Sequence, residues 1–163
     1  IIMGAMNKKI IYLIALVAAM AVAAGAVYSI VKTHAITVTV KEPLNITAYE
    51  TVDVQGYPGE EVEAKVLDIE NKAPVSYNIR YDFSYSTTPG LSVKKLIIME
   101  GENVIKEVNV EAFKDSDNDG KFDVDFTLEG SKTASIFVVV GIDSGQGEGN
   151  YSLNWVSEEI TRS

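Results

Sequence analysis

From Val75 to Tyr85, six apolar or aromatic residues (Val75, Tyr77, Ile79, Tyr81, Phe83 and Tyr85) alternate strictly with five polar ones. An extended chain sends successive side chains to opposite faces. A period of two therefore marks a strand with one face in a core and the other toward water. Phe122, Val124, Phe126 and Leu128 alternate in the same way, and so do Tyr151, Leu153 and Trp155. Further strands are expected over Ile36–Lys41, Leu44–Val54, Glu61–Ile69, Val93–Met99, Val104–Phe113 and Thr133–Ile142. The stretch from Ile136 to Val140 is apolar without interruption, as in a central strand covered on both faces. No segment after residue 35 carries a 3.6-residue period, so helices are not expected there.

Turn chemistry separates these runs. Gly56-Tyr-Pro-Gly59, Thr88-Pro-Gly90, Glu100-Gly-Glu-Asn103 and Asp119-Gly120 fall between them, and the residues from Asp143 to Asn150 form a glycine-rich loop. Eight or nine short strands joined by tight turns predict an all-β fold, an antiparallel β-sandwich of jelly-roll or Ig-like type. Neither a repeat nor a linker divides them. Residues 35–163 are expected to form one domain, and residues 1–34 an extension ahead of it.

Met6-Asn-Lys-Lys in that extension reads as a natural start. Lys8 and Lys9 precede an uncharged run of 22 residues, Ile10 to Val31, which is expected to be the chain's one long helix. A positive flank, an apolar run and a small-residue end are the pattern of an export signal. Ala24-Gly25-Ala26 fits a signal peptidase site, and Thr33-His34-Ala35 fits it less well. The run is also long enough to span a bilayer, so the alternative is a retained anchor that touches the membrane only through residues 10–31. A leader cut ahead of the apolar run is disfavoured, because Lys9 meets Ile10 with no small residue between them. On either main reading the remainder is extracellular or on the cell surface.

After Ala35 the chain carries 11 Lys and Arg against 23 Asp and Glu, a balance of −12. Such a surface repels nucleic acid and anionic headgroups and favours cations. There is no cysteine, so an exported domain of about 130 residues must rely on its core, on metal or on assembly. The acidic residues are densest at Asp115-Ser-Asp-Asn-Asp-Gly-Lys-Phe-Asp-Val-Asp125. Asp115, Asp117 and Asp119 take positions 1, 3 and 5 of a calcium loop, with Gly120 at the sharp sixth position. The Lys121 carbonyl would be the seventh and Asp123 the ninth. Asp125 would act through water or point away. The twelfth position is Phe126 and a strand follows, both departures from the EF-hand. Five carboxylates in eleven residues repel one another without a cation, so calcium is the expected ligand, with a Kd on the order of 10⁻⁴–10⁻³ M. The competing reading is an acidic hairpin loop with Asp-Gly turn chemistry.

Catalysis finds little support. His34, the only histidine, lies beside the export signal, so no Ser-His-Asp or Cys-His arrangement can be built in the domain. Abundant carboxylates in a small acidic domain are usually a solvated surface rather than a glycosidase pair. Gly145-x-Gly-x-Gly149 lacks the helix of a phosphate loop. Asn45-Ile-Thr47 and Asn150-Tyr-Ser152 are N-glycosylation sequons. Tyr77, Tyr81, Phe83, Tyr85 and Trp155 alternate as core residues do, which favours packing over a sugar-binding platform.

Tyr57-Pro-Gly-Glu60, Val62, Asn71, and the strand holding Tyr77 and Tyr81 resemble the TasA/camelysin layout. There a Pro-Gly turn leads into an alternating strand, an Asn-containing turn and another strand. Tyr151-Ser-Leu-Asn-Trp155 is similar to that family's closing strand. The likeness is stronger for the archaeal bundling pilins, whose export signal leads into a strand resembling Ile36–Val40 followed by Lys41-Glu42-Pro43. The Tyr-Phe-Ser-Asp stretch of the bacterial members is absent. The resemblance implies a jelly-roll-like subunit of an extracellular filament or biofilm matrix fibre, in which the N-terminal segment fills a groove in the next subunit. Ile36, Val38 and Val40 would form the buried face of that donated strand, giving a homopolymer by head-to-tail strand addition. The alternative is a membrane-anchored surface β-sandwich that binds carbohydrate or another protein.

Overall fold

In the computed structural model the described residues are 42–50 and 52–163. The expected helix within Lys8–Val31 and the donor segment with Ile36, Val38 and Val40 lie outside them. The described part is all-β: β1 Leu44–Ala48, β2 Glu61–Asn71, β3 Tyr77–Thr87, β4 Leu91–Glu100, β5 Asn103–Asn109, β6 Phe122–Leu128, β7 Thr133–Ile142 and β8 Leu153–Arg162. The one helical element among these residues is a single 3-10 turn, Val110–Ala112. The strands form two antiparallel sheets, ordered β1-β2-β7-β4-β5 and β6-β3-β8.

The alternating strand does what its period requires. Ile79, Tyr81 and Phe83 are buried and Tyr77 is half-buried. They join Leu67 and Ile69 of β2, Leu96 and Ile98 of β4, and Ile136 of β7 in one core between the two sheets, and Val93, Val138 and Val140 form a smaller cluster beside it. β7, with its uninterrupted run from Ile136 to Val140, is the middle strand of the larger sheet. The aromatic residues are core, as their alternation implies. Phe83 stacks on Trp155 with ring centres 4.7 Å apart, and Phe113 meets Phe83 edge-on at 5.1 Å. Trp155 Nε1 donates to Tyr81 Oη at 2.9 Å, and that hydroxyl shares a 2.7 Å hydrogen bond with Ser157 Oγ. Burial, its polar tip satisfied in this way, leaves the Tyr81 phenol with a raised pKa.

The alternating strand begins at Tyr77 rather than Val75, which is exposed, and β2, β3 and β4 each run one or two residues past their expected ends; three further boundaries differ for a visible reason. The strand expected over Leu44–Val54 stops at Ala48. Its partner β2 carries a bulge between Lys65 and Leu67, and after the Tyr49 N–H donates to the Val66 carbonyl the ladder ends. The strand expected over Val104–Phe113 stops at Asn109, where the 3-10 turn redirects Phe113 into the aromatic cluster. The last strand begins at Leu153 rather than Tyr151 and runs on to Arg162. A register shift opposite Asp82 and Phe83 leaves Glu158 unpaired. Alternation fails there in the sequence even though the strand continues.

Candidate functional site

The acidic segment is a loop between the 3-10 turn and β6. It is tied to β6 by a bridge from Lys114 to Asp123. The Asp115 carboxylate organises it, with Oδ1 accepting from the Asp119 N–H at 3.1 Å and Oδ2 from the Gly120 N–H at 2.9 Å. Gly120 has φ 85°, the left-handed conformation that the sharp turn needs and that glycine adopts without a steric penalty. Asn118, at φ 60°, takes the same region, which asparagine tolerates better than most residues. At the loop's exit the Asp123 carboxylate accepts from Ser116, its N–H at 2.6 Å and its hydroxyl at 2.8 Å.

Carboxylate oxygens of Asp115, Asp117 and Asp123 lie within 4.8 Å of one another. The other expected ligands are placed differently. Asp119 Oδ1 accepts from the Lys121 N–H at 2.9 Å, and its other oxygen is 3.6 Å from the Lys121 ammonium. Asp125 is outside the three-carboxylate group. It takes a forked pair of hydrogen bonds from Arg80, at 3.0 and 3.3 Å. The Arg80 guanidinium also approaches Asp117 at 3.5 Å, and the Asp125 hydrogen bonds and charge push its pKa up. Arg80 is on the outer face of β3, so the loop lies against that face.

Sequence reading missed Asp82. It sits on the same outer face, directly opposite Asp123 on β6 and Glu159 on β8. It is only 5% exposed, and its Oδ1 is buried without a hydrogen-bond partner. Asp82, Arg80, Asp117, Asp119, Asp125 and Glu159 line one open cavity of about 450 Å³. Burial first, and then the charges of Asp119, Asp117 and Asp123, push the Asp82 carboxyl above the usual carboxylate range.

Both sequon asparagines are exposed. Asn45 is in β1, where it donates to Glu70 at 3.2 Å, and Asn150 is in the loop before β8. Asn71, fully buried, is the other polar residue of note. Its amide donates to the Val75 carbonyl at 2.8 Å and the Glu129 carbonyl at 3.0 Å, and its oxygen accepts from the Ala73 N–H at 3.0 Å. No family model and no curated protein matches the chain.

Proposed function

We propose that the protein is a structural subunit of an extracellular filament, joined to its neighbour by a strand donated from the N-terminal segment. Strand pairing carries this reading. The pairs β4–β5, β3–β6 and β2–β7 nest one inside the next, as in a long hairpin rolled up into a jelly roll. The outermost pair of that hairpin would be β1–β8. Instead β1 pairs with the far side of β2, and among the described residues the outer edge of β8 has no strand beside it.

The vacancy suits a donated strand. β8 has ten residues, against five to seven for the other edge strands β1, β5 and β6. Its first half, Leu153 to Ser157, is uncharged and matches the five residues Ile36–Val40 in length. Glu158, Glu159 and Arg162 then blunt the rest of the edge. Ile46, opposite Ile69 and so on the core side of the larger sheet, is still 47% exposed, a sign that this corner of the core lacks a cover. A strand laid along β8 would satisfy backbone groups and bury Ile36, Val38 and Val40 together. A contact of this kind, head to tail and not closing, yields a filament. Calcium in the 115–125 loop would stiffen the subunit. Negative-stain microscopy of the expressing cell surface, with mass determination of the mature N-terminus, tests the reading. Filaments built of a chain that retains Val27–Val40 are expected. A monomer held by an intact 10–31 anchor would favour the surface-binding alternative.

A further inference from the structure

We propose that Asp82 of β3 is a direct ligand of the cation bound by the 115–125 loop, supplying from a neighbouring strand the carboxylate that the loop lacks at Phe126. The inference rests on reading that loop as a calcium site and names a ligand outside it. Three observations carry it. Asp115, Asp117 and Asp123 already bring carboxylate oxygens within 4.8 Å of one another, with Asp82 outside that group, so a bound ion would have to draw it in. Asp82 is directly opposite Asp123 in register, so both side chains project from the same face, and it lines one cavity with Asp117 and Asp119. Its Oδ1 is buried and accepts no hydrogen bond.

The third observation gives the argument its direction. Nearly every other carboxylate of the cluster has a use within the protein: Asp115 and Asp123 hold the loop's N–H groups, Asp119 holds the Lys121 N–H, and Asp125 and Asp117 face Arg80. Asp82 has none, although a buried polar group without a partner is costly and is normally satisfied. No cationic side chain approaches it among the described ion pairs. Oxygen-rich and multiply anionic, the arrangement suits a hard divalent ion of calcium's class, which takes six to eight oxygens. Bound there, the cation would pin the loop to the sheet rather than only close the loop on itself.

Calcium chloride titrations and thermal melts of the full chain, in calcium and in chelator, test this with Asp115→Asn and Asp82→Asn. Asp115→Asn examines the loop, and its calcium binding should be lost. Asp82→Asn should bind at least about tenfold more weakly than the wild type, because affinity follows the number of charged ligands. In chelator it should melt at or above the wild-type temperature, since an uncompensated buried carboxylate has been removed. In calcium it should melt below it. A wild type that binds no calcium overturns the loop reading and the assignment with it. A wild type that binds, with an Asp82→Asn variant of equal affinity, overturns the assignment alone. So does a variant less stable than the wild type in chelator, with Asp82→Ser behaving alike, for Asp82 would then be a structural member of the sheet.

Discussion

Asn71 shows how much one buried amide can organise. Its amide links the turn after β2, the approach to β3 and the turn between β6 and β7, with each polar atom in use. Asn71→Ala removes the donor to the Val75 and Glu129 carbonyls and leaves a gap at a fully buried position. The expected cost is about 1–3 kcal/mol, read as a lower urea midpoint with an unchanged slope. Asn71→Asp should cost more, because it removes the donor and aims a charge at two carbonyls. A second residue reports through pH. Asp68 is partly buried, which alone would raise its pKa. Hydrogen bonds from Lys65 at 2.9 Å, Ser135 at 2.5 Å and Tyr49 at 2.6 Å outweigh that and hold its pKa below that of a free aspartate. A depressed folded-state pKa adds stability that is complete above the unfolded pKa, near 4, and disappears as pH falls through the folded value. Asp68→Asn should therefore lose about 1–2 kcal/mol between pH 5 and 8 and converge on the wild type in stronger acid. A gap in chemical-denaturation stability that stays constant to pH 2 would refute the assignment. At this scale the sequence is legible where partners are close in the chain. The spacing of Asp115, Asp117 and Asp123 pointed to their meeting, whereas Asp82 reaches them only through strand pairing and read as one more outward polar residue in an alternating run.

Strands were the most legible level, because a period of two survives any arrangement of the sheets. The places where boundaries moved are those where pairing, not pattern, decides: β1 ends opposite the β2 bulge, and β8 continues past a bulge that breaks its alternation. The order of the strands was legible only for β7, whose uninterrupted apolar run marks a central strand; the rest of the order carries no local signal. Turns between elements add a constraint that composition hides. A Cβ on Gly130, in the connection from β6 to β7, would stand 2.3 Å from the Pro74 carbonyl oxygen, and neither backbone can swing aside as a side chain could. Gly130→Ala should thus cost about 1–3 kcal/mol by overpacking, a fall in thermal midpoint of several degrees for a domain of this size. A melting curve superimposable on the wild type would show that the two connections separate easily.

For the whole molecule, the central relation is between a nested hairpin that, among the described residues, has no β1–β8 pair and an N-terminal segment whose sequence is patterned as a strand. As an extended strand, Ile36, Val38 and Val40 would share one face and Thr37 and Thr39 the other. Burying three such apolar side chains contributes about 1.5–3 kcal/mol each, enough with the backbone hydrogen bonds to hold one joint. Pro43 would end the pairing, since it has no N–H to give. Deleting Val27–Val40 should accordingly leave a protein that no longer polymerises. The acceptor edge can be tested as directly. The chain has no cysteine, so an introduced pair forms the only disulfide. Thr39 is on the outward face of the proposed donor, and Val156, opposite Ser84, is on the outward face of β8, so Thr39→Cys with Val156→Cys leaves the core untouched. A strand laid along β8 brings Cβ atoms of one face to about 4.5–5.5 Å, close enough for small adjustments to close a disulfide. Oxidised filaments should then run as a ladder of covalent multimers on a denaturing gel, and either single variant should run as monomer. Crosslinking confined within one chain would mean that each subunit fills its own vacancy, and head-to-tail strand addition would be wrong. Filaments that persist with no crosslink at this pair or at Thr37→Cys with Val156→Cys would move the joint away from β8.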